Sequence, residues 1–181
     1  MDGYEAMQKA YQSILAHDFD QAIAWFKQAV KACPDNAEYH YRLSISCMRS
    51  SRLTEASIHA RRAAELEPDD DTYRSHYERV RAREHVAQAQ NYLEEGRDRA
   101  YFSILLLKQA VELDPLSTDA YLLLGMAYAD VDDYRSALRA ISEVLRLEPD
   151  HSLAIRLKQE YEQQLHQYTT SSTKFEKSEG K

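Results

Sequence analysis

The chain is poor in the residues that make turns and cross-links. Its 181 residues include only 4 glycines, 4 prolines and 2 cysteines. That leaves too few turn formers for an all-β fold, which needs a bend after every short strand. Cys33 and Cys47 form no disulfide framework, as in proteins of a reducing compartment. The strongly apolar stretches are far too short to span a bilayer. The opening Met-Asp-Gly-Tyr-Glu has neither the basic nor the apolar region of a secretory leader, so the cytoplasm is the expected location. Positive charge is also short. With 23 Lys and Arg against 30 Asp and Glu, the net charge of −7 has the wrong sign for general binding to nucleic acid or to an anionic membrane. The excess is uneven: residues 49–85 hold 8 Arg and 8 acids, so the remainder carries all of it, 15 basic against 22 acidic.

What is present favours helices. Hydrophobic residues make up 44% of the chain, enough for one continuous core, and Ala, Leu, Glu, Gln and Arg are plentiful. The prolines stand at 34, 68, 115 and 149, with spacings of 34, 47 and 34. Each closes a similar phrase: Val30-Lys-Ala-Cys-Pro34, Ala64-Glu-Leu-Glu-Pro68, Val111-Glu-Leu-Asp-Pro115 and Leu145-Arg-Leu-Glu-Pro149. Proline lacks an amide hydrogen and restricts the residue before it, so each ends one helix and turns the chain into the next. A period of 34 marks a stacked helix-turn-helix array.

The stretch 121–149 reads Tyr121-x2-Leu124-Gly125-x2-Tyr128, then Tyr134-x2-Ala137-x3-Ile141, then Pro149. It closely resembles the tetratricopeptide repeat, W-x2-L-G-x2-Y…A-x3-F…P. Residues 37–68 follow with His40, Leu43, Ser44, Cys47, Leu53, Ala56, Ala60, Ala63 and Pro68. The first repeat is clear in its second helix, through Phe19, Ala22, Phe26, Ala29 and Pro34. The resemblance covers residues 4–168. It implies an all-α, right-handed superhelical solenoid of about four helix pairs with a C-terminal capping helix. Ala10, Ser44 and Gly125 would then be small because the two helices of a pair cross closest there. Helices are expected at 4–17, 19–32, 36–49, 53–66, 70–95, 98–113, 117–130, 133–147 and 151–168.

The 47-residue spacing points to one long helix at 70–95. Tyr73, Tyr77 and Val80 form an apolar stripe at its start, and Ala82, Val86, Ala89 and Leu93 form another near its end. At 100° per residue these lie on nearly opposite faces, so the first half should serve the repeats before it and the second half the repeats after. Gly96 ends it. The organisation read from the chain is therefore 1–68 for repeats 1–2, 69–149 for the long helix and repeats 3–4, 150–168 for an amphipathic cap, and 169–181 for a disordered tail.

Nothing in the residues points to catalysis, a metal or a cofactor. The seven histidines, at 17, 40, 59, 76, 85, 151 and 166, show no ligand spacing and read as scattered surface or groove residues. Cys47 falls among packing positions. Asp69, Asp70 and Asp71 precede a helix, where carboxylates cap amides and match the dipole. The stretch 74–85 is rich in arginine, and Arg74, Arg79, Arg81 and Arg83 form either a solvated face or a basic patch for an acidic partner.

The resemblance also implies a function. Tetratricopeptide arrays bind peptide or helix segments on a concave face lined by the first helix of each pair. Carried onto this chain, the inward positions are Met7, Tyr11 and Ile14, then Tyr41, Ile45, Met48 and Arg49, then Leu122, Met126 and Asp130. Most are apolar, which suits adaptable recognition of a protein partner. The family's carboxylate clamp is missing, since its places hold Met7, Tyr11 and Ile45. The expected role is an adaptor or scaffold. Chaperone-like sequestration of a client and a homo-oligomeric structural subunit are its rivals, and an RNA-binding helical repeat is disfavoured by the charge.

Overall fold

The computed structural model describes the backbone of residues 2–179 and the side chains of residues 2–167. Every regular element among them is helical. The helices are α1 (Gly3–Leu15), α2 (Phe19–Ala32), α3 (Ala37–Arg49), α4 (Leu53–Leu66), α5 (Asp71–Glu95), α6 (Ala100–Leu113), α7 (Thr118–Asp130), α8 (Tyr134–Leu147) and α9 (Ser152–Glu179). A 3-10 turn, Arg97–Arg99, precedes α6. These bounds lie within about two residues of those expected from the sequence, with one exception. α9 continues past residue 168, because no proline or glycine interrupts the stretch before Gly180. Gly180 and Lys181 lie outside the described residues, as does the side chain of Tyr168 at the end of the expected cap.

The prolines work through the residue two places on. Asn36, Asp70, Ser117 and His151 each follow a proline at that distance, and each accepts the backbone N–H three residues further along. For Asn36 Oδ1 the donor is Tyr39 N at 3.1 Å, and for His151 Nδ1 it is Ala154 N at 3.2 Å. Asp70 also accepts from Thr72 N at 2.7 Å, and the Thr72 hydroxyl first, with these backbone bonds after it, holds its carboxyl below the usual range. The acidic run before α5 is thus a cap, as its position implied. Asp2, Asp18 and Asp133 cap α1, α2 and α8 in the same way. Between the helices of a pair, His17, Ser51 and Asp132 adopt left-handed backbone, with φ of 59°, 58° and 61°. At the longer third turn Gly96 takes φ 117°.

The chain divides into two compact units, Met1–Glu84 and His85–Lys181. In the first, α1 packs on α2, α2 on α3 and α3 on α4. Their core holds Ala6, Ala10, Ala22, Ile23, Phe26, Leu43, Cys47, Ala56 and Ala60, and Val80 of α5 joins it. Tyr73 packs with Ala37 and Ala63. In the second unit Ala89, Leu107, Leu124, Ala127 and Ala140 form one cluster, with Val86 and Leu93 against it. The two stripes of α5 therefore serve different cores, as their opposite faces predicted. α9 packs on α8 through Ala154 and Tyr161, beside Ile141 and Val144.

Two histidines depart from the surface reading. His76 is only 2% exposed and His40 only 6%. Ser44 Oγ donates to the Ala56 carbonyl at 2.8 Å and lies 2.8 Å from His76 Nε2. The hydroxyl has one proton to give, so His76 carries its own on Nε2 and donates it to Ser44. Burial, helped by the nearby Arg79 charge, pushes the His76 pKa down to about 4. His40 Nε2 lies 3.0 Å from the Pro34 carbonyl, and its Nδ1 lies 2.9 Å from Nδ1 of His59. Periodicity could not flag these residues, because burying an imidazole requires a partner that arrives from another helix.

Candidate functional site

Ten residues were expected to line a binding face, and the structure gathers four of them into one pocket. Tyr11 and Ile14 come from α1, and Ile45 and Arg49 from α3. α2, packed between those helices, adds Phe19, Ala22 and Phe26, and α3 adds Arg42 and Ser46. The pocket encloses about 290 Å³. Ala22 and Phe26 are fully buried and make its floor. The Tyr11 ring meets Phe26 edge to face at 5.8 Å. Tyr11 and Phe19 stay 39% and 45% exposed, so the wall is open to solvent. The local reason is register: Tyr11 and Ile14 stand three apart on α1, and Arg42, Ile45 and Arg49 follow at steps of three and four on α3, so each set shares a side.

The polar groups of the pocket differ in how far they are satisfied. Arg42 donates to Glu38 at 2.6 Å, and that carboxylate raises the arginine's pKa further. Ser46 Oγ donates to the Arg42 carbonyl at 3.0 Å, turning the hydroxyl onto its own helix. Arg49 is exposed and has no acid partner among the described residues.

The other expected residues are placed differently. Met7 is buried in the core, a correction that follows from its place beside Ala6 and Ala10 on the side of α1 facing α2. Tyr41 is half-buried and turned to α5, its ring 5.2 Å from Tyr73 and 5.0 Å from His76. Met48 is half-buried against the core of the first unit. In the second unit, Leu122 is half-buried beside the cluster around Ile141, while Met126 and Asp130 are exposed. The Asp130 carbonyl accepts from Arg97, which also pairs with Asp132. A larger recess of about 530 Å³ between α7 and α8 includes none of these three, and its lining carries both Arg139 and Glu143.

Arg74, Arg79, Arg81 and Arg83 are all exposed on α5. Arg74 pairs with Asp71, and Arg81 lies over the Tyr77 ring, 5.9 Å from its centre. Phe19, Ala22, Phe26, Arg42 and Ser46 line the pocket without having been expected there, and the two phenylalanines contribute most of its unforeseen apolar surface. Both had been assigned to the repeat's second helix, and only the packing of α2 against α1 and α3 turns them toward the site. Among the described residues no group of three or more His, Cys, Asp or Glu is placed to hold a metal ion. Burial pushes the Cys47 thiol up to about 12, so it stays protonated and inert. No described helix is long and apolar enough to cross a membrane.

Family models described as tetratricopeptide repeat match residues 16–71 and 118–151. Among solved structures, the chain is similar to a MamA protein at 19% identity, over 97% of this chain and 88% of that one, with a TM-score of 0.55. It is likewise similar to MamA residues 41 to the end from Desulfovibrio magneticus RS-1, at 14% identity over 97% and 92%, with a TM-score of 0.56. No curated protein matches the chain. At these identities the likeness to solved structures is one of fold.

Proposed function

Because the chain belongs to the tetratricopeptide-repeat family, we propose that it works as a protein-interaction module, an adaptor or scaffold that receives a peptide or helix segment of a partner. The observation that carries this reading is the pocket of the first unit, where Tyr11, Ile14 and Ile45 stand over Phe26 with their apolar surface open. Exposed aromatic and aliphatic anchors in a preformed concavity are the usual source of binding energy at interfaces. A cytoplasmic setting is part of the proposal. Replacing Tyr11 and Ile45 together by Ala tests it. Partner capture from lysate should fall at least about tenfold, while circular dichroism stays unchanged. A folded double variant that keeps every partner removes the reading.

One observation favours self-association as a second reading. On α6, Tyr101, Phe102 and Leu105 are 69%, 50% and 57% exposed, an apolar strip on one side of the helix. Sedimentation velocity at several concentrations decides it. A sedimentation coefficient that stays at the value of the 21.0 kDa monomer at every concentration excludes a homo-oligomer.

A further inference from the structure

We infer that the first-unit pocket selects a partner segment that presents one bulky apolar side chain, aromatic or leucine, next to an aspartate or glutamate. The inference rests on the interaction reading above and deepens it by naming the chemistry of the segment. The volume of about 290 Å³ sits at the lower edge of the range for small-molecule clefts, roughly 300–1,000 Å³, and suits a side chain rather than a cofactor. The walls are apolar, and the Tyr11 and Phe19 rings at the mouth are only partly covered. A flat ring or a branched aliphatic group entering there would meet the Tyr11 ring at the wall and the Phe26 ring at the floor.

The charge decides the neighbour. Two arginines and no carboxylate line the pocket. Glu38 neutralises Arg42. The acids at the adjoining turn are committed elsewhere: Asp18 accepts from Gln21 N, and Asp20 takes Arg52 at 2.5 Å. Glu55 takes Lys27. Arg49 is left as a cation beside an apolar cavity, in a chain whose net charge is −7. A guanidinium offers a planar fork that matches a carboxylate in a charge-assisted pair. A segment with a side-chain carboxylate next to its apolar anchor satisfies cavity and cation together. A basic segment meets repulsion.

Selection from a displayed library of random ten-residue peptides on the full chain tests this, with binders then measured as fluorescein-labelled peptides by anisotropy. Enriched sequences should pair Phe, Tyr or Leu with an adjacent Asp or Glu. Changing that acid to its amide should weaken binding about three- to tenfold at low salt and by less at high salt. Arg49→Gln should erase the difference between acid and amide peptides, and Arg49→Lys should keep part of it. Tyr11→Ala with Phe19→Ala should weaken both peptides alike. Enrichment of apolar peptides with no acidic preference, or an acid preference that survives Arg49→Gln, overturns the inference while the groove reading stands. Peptides whose binding ignores Tyr11 and Phe19, or no enrichment at all, overturn both.

Discussion

In the first unit the crossing of α3 with α4 is closed by a hydrogen bond, whereas in the second the crossing of α7 with α8 is closed by shape. Ser44 donates across its crossing to the Ala56 carbonyl. Gly125 offers no side chain, and a Cβ there would stand 2.8 Å and 2.9 Å from Cδ1 and Cγ1 of Ile141. The crossing of α5 with α6 uses the first device in reverse, since Ser103 of the second helix donates to the Ala89 carbonyl of the first at 2.8 Å. At α1 and α2, Ala10 and Ala22 are both fully buried with no polar group. Ala22, Ala56, Ser103 and Ala137 hold the same phase, each twelve residues before a proline. One steric requirement at four crossings is thus met in three ways, and the choice sets what each unit tolerates.

The largest effect should come from filling the glycine. Gly125→Leu forces a side chain into the fully buried Ile141 and should destabilise the second unit by about 3 kcal/mol. Gly125→Ala should also destabilise, though by less, because its Cβ alone stands under 3 Å from Cδ1 and Cγ1 of the buried Ile141, which must shift. Denaturant titrations of the two variants measure the gap, and equal midpoints would break the contrast between the units.

Acid should separate the units next. The folded-state pKa of His76 is depressed from 6.5 to about 4, so the unfolded chain takes up the proton first as pH falls. Stability is intact above pH 6.5, declines between 6.5 and 4, and declines no further from this group below that. The loss approaches about 3 kcal/mol. His59 is also lowered, first by burial and then by His40, and acts in the same direction. Hydrogen exchange at pH 7.5 and pH 4.5 should show the first unit opening more readily, and proton NMR should place the His76 transition. A transition at the ordinary imidazole value would contradict the buried Ser44–His76 bond.

A smaller test compares the two serines. Ser44→Ala strands the buried His76 Nε2–H and should cost about 1–2 kcal/mol. Ser103→Ala leaves only the Ala89 carbonyl, in a place where the sister crossings already hold alanine, and should cost less than about 1 kcal/mol. Thermal melts of both variants rank them, and the reverse order would undo the assignment of the bond from His76 to Ser44. The smallest effect is expected at a turn. Ser51→Gly relieves left-handed backbone at φ 58°, offset by greater freedom of the unfolded chain, for a net gain of about 0.5 kcal/mol. A lower melting temperature in that variant would show that Ser51 holds the turn by something other than its backbone.

The repeat phase, the long helix and the steric role of Gly125 were legible before any coordinates, because proline, caps and small residues act within a few positions of themselves. The site was legible only in part. Tyr11, Ile14, Ile45 and Arg49, which the pocket gathers, are among the inward positions that the family resemblance implied. Met7 and Tyr41 are among them too, yet Met7 turned to α2 and Tyr41 to the Tyr73 ring of α5. A helix face is about 100° wide and adjacent positions share its edges, so periodicity alone cannot assign an edge residue to groove or core.

The sequence by itself determined where helices begin, end and cross, since a proline, a capping side chain and a missing Cβ exert their effects locally. Only the tertiary structure decided that Ser44 and His76, 32 residues apart, join in one hydrogen-bond chain. It alone set Phe26 at the floor and Phe19 at the mouth of a pocket between two first helices, and left Arg49 there while the nearby acids bonded other groups. Those outcomes are choices among partners from different helices. They are settled by which groups come within bonding distance, and no short-range rule contains that information.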